Sequence, residues 1–94
     1  MTQEVTETYS RALTEYGFDN QRMMLFEEIG ELLNAIAKHH RGRTESVMEV
    51  ITELADVSIM VEQMAVHFGL GDFEREKQRK IERLNKRIQE HKNQ

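Results

Sequence analysis

The stretch that decides the fold begins with Leu25-Phe26-Glu27-Glu28-Ile29-Gly30-Glu31-Leu32-Leu33-Asn34-Ala35-Ile36. After a short basic turn it resumes with Val50-Ile51-Thr52-Glu53-Leu54-Ala55-Asp56-Val57-Ser58-Ile59-Met60. Leu25, Ile29, Leu32, Leu33 and Ile36 recur at steps of three and four. So do Val50, Leu54, Val57 and Val61, continued by Met64, Ala65 and Phe68. That is the period of an amphipathic α-helix, and no proline interrupts it. Beside these stripes stand two groups of acids, Glu27, Glu28 and Glu31 in the first half and Glu49, Glu53 and Asp56 in the second. Carboxylates three or four residues apart stack along one side of a helix and repel one another. A cation is therefore the first partner to expect.

Outward from this pair the chain stays helical. Val5, Tyr9, Ala12, Leu13 and Tyr16 share a face and predict a first helix over about 3–16, stopped by Gly17. The second is expected over about 20–41, capped by Asp19 or Asn20 and ended by Gly42. The third spans about 45–68, with Thr44 or Ser46 as its cap and Gly69 and Gly71 as its breakers. Asp72 is placed to cap a fourth over about 72–89, whose narrow stripe is Phe73, Ile81, Leu84 and Ile88. Four such helices with short turns predict one all-α domain over 1–94, a four-helix-bundle-like fold. In 94 residues a core of this kind is small, so burial by self-association, as a homodimer or homotetramer, is expected.

Composition narrows the function. No cysteine is present, which excludes disulfides and thiolate metal sites. No apolar run approaches the roughly 20 residues of a membrane span. Met1-Thr2-Gln3-Glu4 lacks the basic-then-apolar form of a signal peptide, so a cytoplasmic home is expected. The net charge of −4 is uneven: residues 1–71 hold twelve acids against five bases (−7), and residues 72–94 hold eight bases against five acids (+3). An acidic body with a mixed, mildly basic tail suits a metal-bridged anion; nucleic acid is not an expected partner.

Sliding the chain by 25 residues lays the third helix on the second. Glu28 then falls on Glu53 and Glu31 on Asp56, while Leu25, Ile29, Leu32 and Ile36 fall on Val50, Leu54, Val57 and Val61. At about 100° per residue, the acids lie at one angle from the stripe on both helices. Joined by the Arg41-Gly42-Arg43 turn, the helices should pack antiparallel, and the twofold relation of their patterns keeps both acidic strips on one side. Carboxylates alone, without His or Cys, are hard oxygen donors suited to Mg²⁺ or Mn²⁺.

At these residues the chain resembles the MazG-like family of all-α nucleoside triphosphate pyrophosphohydrolases. The likeness lies in Glu27-Glu28-x-x-Glu31 followed by Glu53-x-x-Asp56, with matching apolar residues, over about 21–68. It implies Mg²⁺-dependent hydrolysis of a nucleoside triphosphate to the monophosphate and pyrophosphate, by attack of water on the α-phosphorus. It also implies that Glu28, Glu31, Glu53 and Asp56 are metal ligands, and that Glu27 and Glu28 take part in catalysis. Thr52 stands where many relatives carry another acid, and Glu49, one turn earlier, is a candidate to replace it. Similar enzymes place bases after the third helix near the phosphates; here those are Lys77, Lys80 and Arg83, with Arg87 behind them. Two alternatives remain at this point: a pyrophosphohydrolase of a phosphoribosyl nucleotide, and a non-catalytic helical scaffold that holds a divalent ion.

Gln21 and Asn34, along the acidic side of the second helix, are further candidates for substrate binding. Met23, Met24, Met48, Met60 and Met64 read first as core filling, with a base pocket as the second reading. His39 and His40 are best explained as favourable charge at a helix C-terminus. No phosphate-binding glycine loop, Ser-His-Asp set or zinc spacing occurs.

Overall fold

A computed structural model describes residues 1–42 and 47–94. Four helices make up the described chain: α1 (Gln3–Tyr16), α2 (Phe18–His40), α3 (Val47–Phe68) and α4 (Leu70–Lys92), with no strand among the described residues. This is the all-α, four-helix-bundle-like class that the periodicity predicts. Thr2 caps α1 through its side-chain oxygen, which accepts from the Val5 N–H at 3.2 Å.

The ends differ in detail from the expectation. α2 opens at Phe18 on Gly17, so neither Asp19 nor Asn20 caps it; the Asn20 amide instead donates to the Tyr16 carbonyl at 2.7 Å. Asp72 lies inside α4 and pairs with Arg75, because the helix already starts at Leu70 behind Gly69. Gly71 is helical, and only Gly69 breaks the chain there, at φ +144°. The expected caps Thr44 and Ser46, and Arg43 of the turn, lie outside the described residues.

Two distant pairs set the geometry of the body. Gln21, early in α2, bonds to Gln63, late in α3; Lys38, late in α2, pairs with Glu49, early in α3. The two helices are thus antiparallel, and α1 joins them through the Tyr9 hydroxyl, which donates to Glu62 at 2.6 Å. The seam between α2 and α3 takes only part of the apolar stripes, together with polar side chains. Gln21, Glu28, Leu32 and Ala35 line it from α2, and Val50, Glu53, Val57, Met60 and Gln63 from α3, all buried or half-buried. Ala35, at 3 % exposure, lets the backbones approach, and the carboxamides satisfy each other. The rest of the stripes is largely turned outward: Ile29, Leu33, Ile36, Leu54 and Val61 are all exposed. The division has a physical reason. Small and mutually bonded polar side chains fit the close approach, and large aliphatic ones are left for another surface.

α4 departs from the body. It packs on α3, Phe73 is half-buried, and every residue from Glu74 onward is exposed. The radius of gyration is accordingly 16.5 Å, against about 12 Å expected for a compact domain of this length.

Two glycines give opposite tests of this backbone. Gly30 lies within α2 with nothing within 4 Å of a built Cβ. Gly30→Ala should therefore stabilise by about 1 kcal/mol in a urea melt. Gly69→Ala should destabilise by at least about 1 kcal/mol, since a side chain is strained at its positive φ.

Candidate metal centre

The antiparallel seam places the two acid groups against each other. Glu28 from α2 meets Glu53 and Asp56 from α3, and one oxygen from each lies within 4.8 Å of the others. All three side chains are half-buried. Their helical frames explain the convergence. Glu28 shares the α2 face of Gln21 and Ala35, seven residues either side, and Glu53 shares the α3 face of Met60, seven residues on. The face that closes the seam is thus the face that carries the acids.

Burial has a consequence for their charge. Glu28 Oε2 and Glu53 Oε2 are enclosed and have no hydrogen-bond partner. The Glu28 carboxyl is pushed up to about 7, first by its removal from water, then by the charge of Glu31, a hydrogen bond with Glu53 and the charges of Asp56 and Glu53. Glu53 is raised as well, chiefly by burial. An enclosed carboxylate oxygen with no donor is costly. A divalent cation among these oxygens would satisfy both and offset the repulsion.

The remaining candidates are distributed around this centre. Glu31 is exposed, yet its charge acts on both Glu28 and Glu53, and with Asn34, Lys38, Glu49 and Glu53 it borders a small cleft of about 170 Å³. Glu49 stands apart from the three converging acids and pairs with Lys38 at 3.4 Å. Glu27 is exposed and lines a separate groove with Gln21, Met24 and Met60. Lys77, Lys80 and Arg83 are on the exposed length of α4, which packs on α3, and the helix does not bring them back to α2. Lys38 and Gln63 are neighbours of the site that periodicity did not single out. Lys38 could have been found as the base that an antiparallel turn sets opposite Glu49; Gln63 carries no comparable sequence signal.

Chemically, the donor set is all carboxylate oxygen, carried by two helices and partly shielded from water. It suits a hard divalent ion such as Mg²⁺ and offers nothing to a soft one. Compared with family models, curated proteins and solved structures, the chain matches no family model, no curated protein and no solved structure.

The raised carboxyls make stability depend on pH in a definite direction. Glu28 binds its proton more tightly folded than unfolded, so its contribution is fully present below about 4.5 and is lost as pH rises through about 7. Without divalent ions, the protein should melt several degrees lower at pH 8 than at pH 5.5. Millimolar Mg²⁺ should raise the pH 8 melting temperature most, because the ionised set is then the ligand. Calorimetry at both pH values, with chelator or Mg²⁺, measures this directly.

Proposed function

We propose that this chain is a Mg²⁺-dependent nucleoside triphosphate pyrophosphohydrolase of the MazG-like kind, releasing the monophosphate and pyrophosphate. One observation carries the reading: two enclosed, unpartnered carboxylate oxygens, on Glu28 and Glu53, converge with Asp56 across an antiparallel helix pair. A cation would satisfy the two unpartnered oxygens once the carboxyls ionise, and a carboxylate-held Mg²⁺ is a common partner of polyphosphates. The spacing Glu27-Glu28-x-x-Glu31 and Glu53-x-x-Asp56 agrees with that activity.

In this reading Glu28, Glu53 and Asp56 hold the ion, and Glu31 completes the negative field around it. The ion, when bound, supplies neutralisation of phosphate oxygens and acidification of the attacking water. Glu27, exposed at the edge of the site, is the residue assigned to orienting or deprotonating that water. Glu49 is assigned a lesser part, since Lys38 already neutralises it. The cleft beside Asn34 and Lys38 gives the phosphates a mixed polar wall.

The chain is proposed to work as a homo-oligomer, dimer or tetramer. Among the described residues four apolar side chains are buried, whereas nineteen large ones are exposed. That much apolar surface on a small body is what a subunit interface covers. Within such an assembly Lys77, Lys80 and Arg83 are assigned to the phosphates, as cations that α4 holds clear of its own body.

A panel of ribo- and deoxynucleoside triphosphates with Mg²⁺ should show pyrophosphate release that chelation abolishes. Glu53→Gln should lower that rate at least about a hundredfold, while raising the melting temperature of the metal-free protein by removing a repelling charge. Full activity in Glu53→Gln would overturn the site, and an inert wild type that still binds Mg²⁺ would leave a metal-binding scaffold. Sedimentation should find more than one chain per particle.

A further inference from the structure

Beside the carboxylates the seam opens into a second feature, a groove of about 500 Å³ that Tyr16, Asn20, Gln21, Met24, Glu27 and Met60 help to line. Met24 lies four residues before Glu28, and Met60 four residues after Asp56. Each is therefore one helical turn, about 6 Å, from a carboxylate of the metal centre. That is the separation at which a nucleotide carries its base from its first phosphate. The lining combines flat and polarisable apolar surface with carboxamides, the chemistry that takes a heteroaromatic ring and reads its edge.

One of those carboxamides is built in. Gln21 is only 7 % exposed, and its Nε2 donates to Gln63 Oε1 at 2.7 Å. Gln63, 5 % exposed, in turn directs its Nε2 to the Met60 sulfur at 3.7 Å. A thioether has no hydrogen to donate, so it can only accept. The sulfur therefore selects the nitrogen end of Gln63, the Gln63 oxygen is left for Gln21, and Gln21 must present its nitrogen there. Gln21 Oε1 is then the end left over. It has no protein partner among the described residues, yet it is not one of the enclosed unpaired atoms, so it keeps contact with solvent, and Gln21 is one of the residues that line the groove.

We propose that Gln21 reads the nucleobase as a hydrogen-bond acceptor, and that Met60 and Gln63 are positioning residues that fix the polarity of its carboxamide. The ligand class is a base whose bound edge offers an N–H, an exocyclic amino group or a ring imide. The proposal rests on the nucleotide reading of the adjoining carboxylates, and its test separates the two.

The protein, labelled with ¹³C on its methionine methyls, is titrated in Mg²⁺ with AMP, CMP, UMP and GMP. Each is paired with a counterpart alkylated at the base N–H, such as N6,N6-dimethyl-AMP or N3-methyl-UMP. Pyrophosphate release from the triphosphates is measured in parallel. The expected result is that at least one parent nucleotide shifts the Met24 and Met60 methyls and binds about tenfold tighter than its alkylated counterpart. Gln21→Leu should bring that ratio to about one. Met60→Leu, read through Met24, should also lower it while overall binding persists, because the relay loses the atom that orients it. Absence of methyl shifts, or equal binding of parent and alkylated forms to the wild type, overturns the proposal even if both variants fail to fold. Methyl shifts with the expected ratio but no pyrophosphate release would overturn the hydrolase reading and keep the base reader. Pyrophosphate release without the ratio would do the reverse.

Discussion

The structure depends on one unfavourable contact: carboxylates from two helices pressed into the seam between them. Enclosed oxygens of Glu28 and Glu53 have no donor, and burial pushes the Glu28 carboxyl up to about 7. A fold selected for the apo protein's stability alone would turn these side chains outward. Ala35 and the Gln21–Gln63 bond hold the seam closed on either side of them and keep the acids inside. Stability is given up there, and in the proposed reading the gain is a preformed set of hard oxygen ligands, the pattern expected where strain and function coincide.

The second constraint follows from the first. Because the faces carrying acids and carboxamides are used to join α2 to α3, much of the aliphatic stripes is left pointing out. Ile29, Leu33, Ile36, Leu54 and Val61 would make an ordinary core if the helices were rotated about their axes, but the rotation would expel the acids. α4 repeats the situation, with Ile81, Leu84 and Ile88 exposed along a helix that leaves the body. The single chain is thus half of a packing problem, and a further copy is the proposed remainder.

Charge and shape also divide the neighbourhood of the seam into two kinds of surface. Around Glu28, Glu53 and Asp56 the groups are negative and ask for a cation; Met24 and Met60 one turn away and Gln21 two turns away are neutral and ask for a flat, edge-polar ligand. Their adjacency along the same helices is what makes a nucleotide the economical reading of both. Neither surface alone would carry it, since acidic clusters and methionine-lined grooves are each common.

The sequence by itself determined the four helices and the two acid groups that could meet, because periodicity and the 25-residue overlay depend only on spacing along the chain. It placed Glu28 with Glu53 and Glu31 with Asp56 at matching angles, and the antiparallel turn implied that they would face one another; the structure brings Glu28, Glu53 and Asp56 together and leaves Glu31 exposed. It left open which face closes the seam, since hydropathy ranks Leu and Ile as core wherever they stand. The choice between two faces of a helix is made by close packing across to a neighbour, where Ala35 and a bonded pair of glutamines fit and Leu33 does not. Only the tertiary structure could bring Gln21 to Gln63 and Met60, forty-two and thirty-nine positions away, and so decide which end of a carboxamide is left free. That orientation depends on a sulfur that cannot donate, three residues before Gln63 on the same helix, and on the long-range contact that brings Gln21 against Gln63.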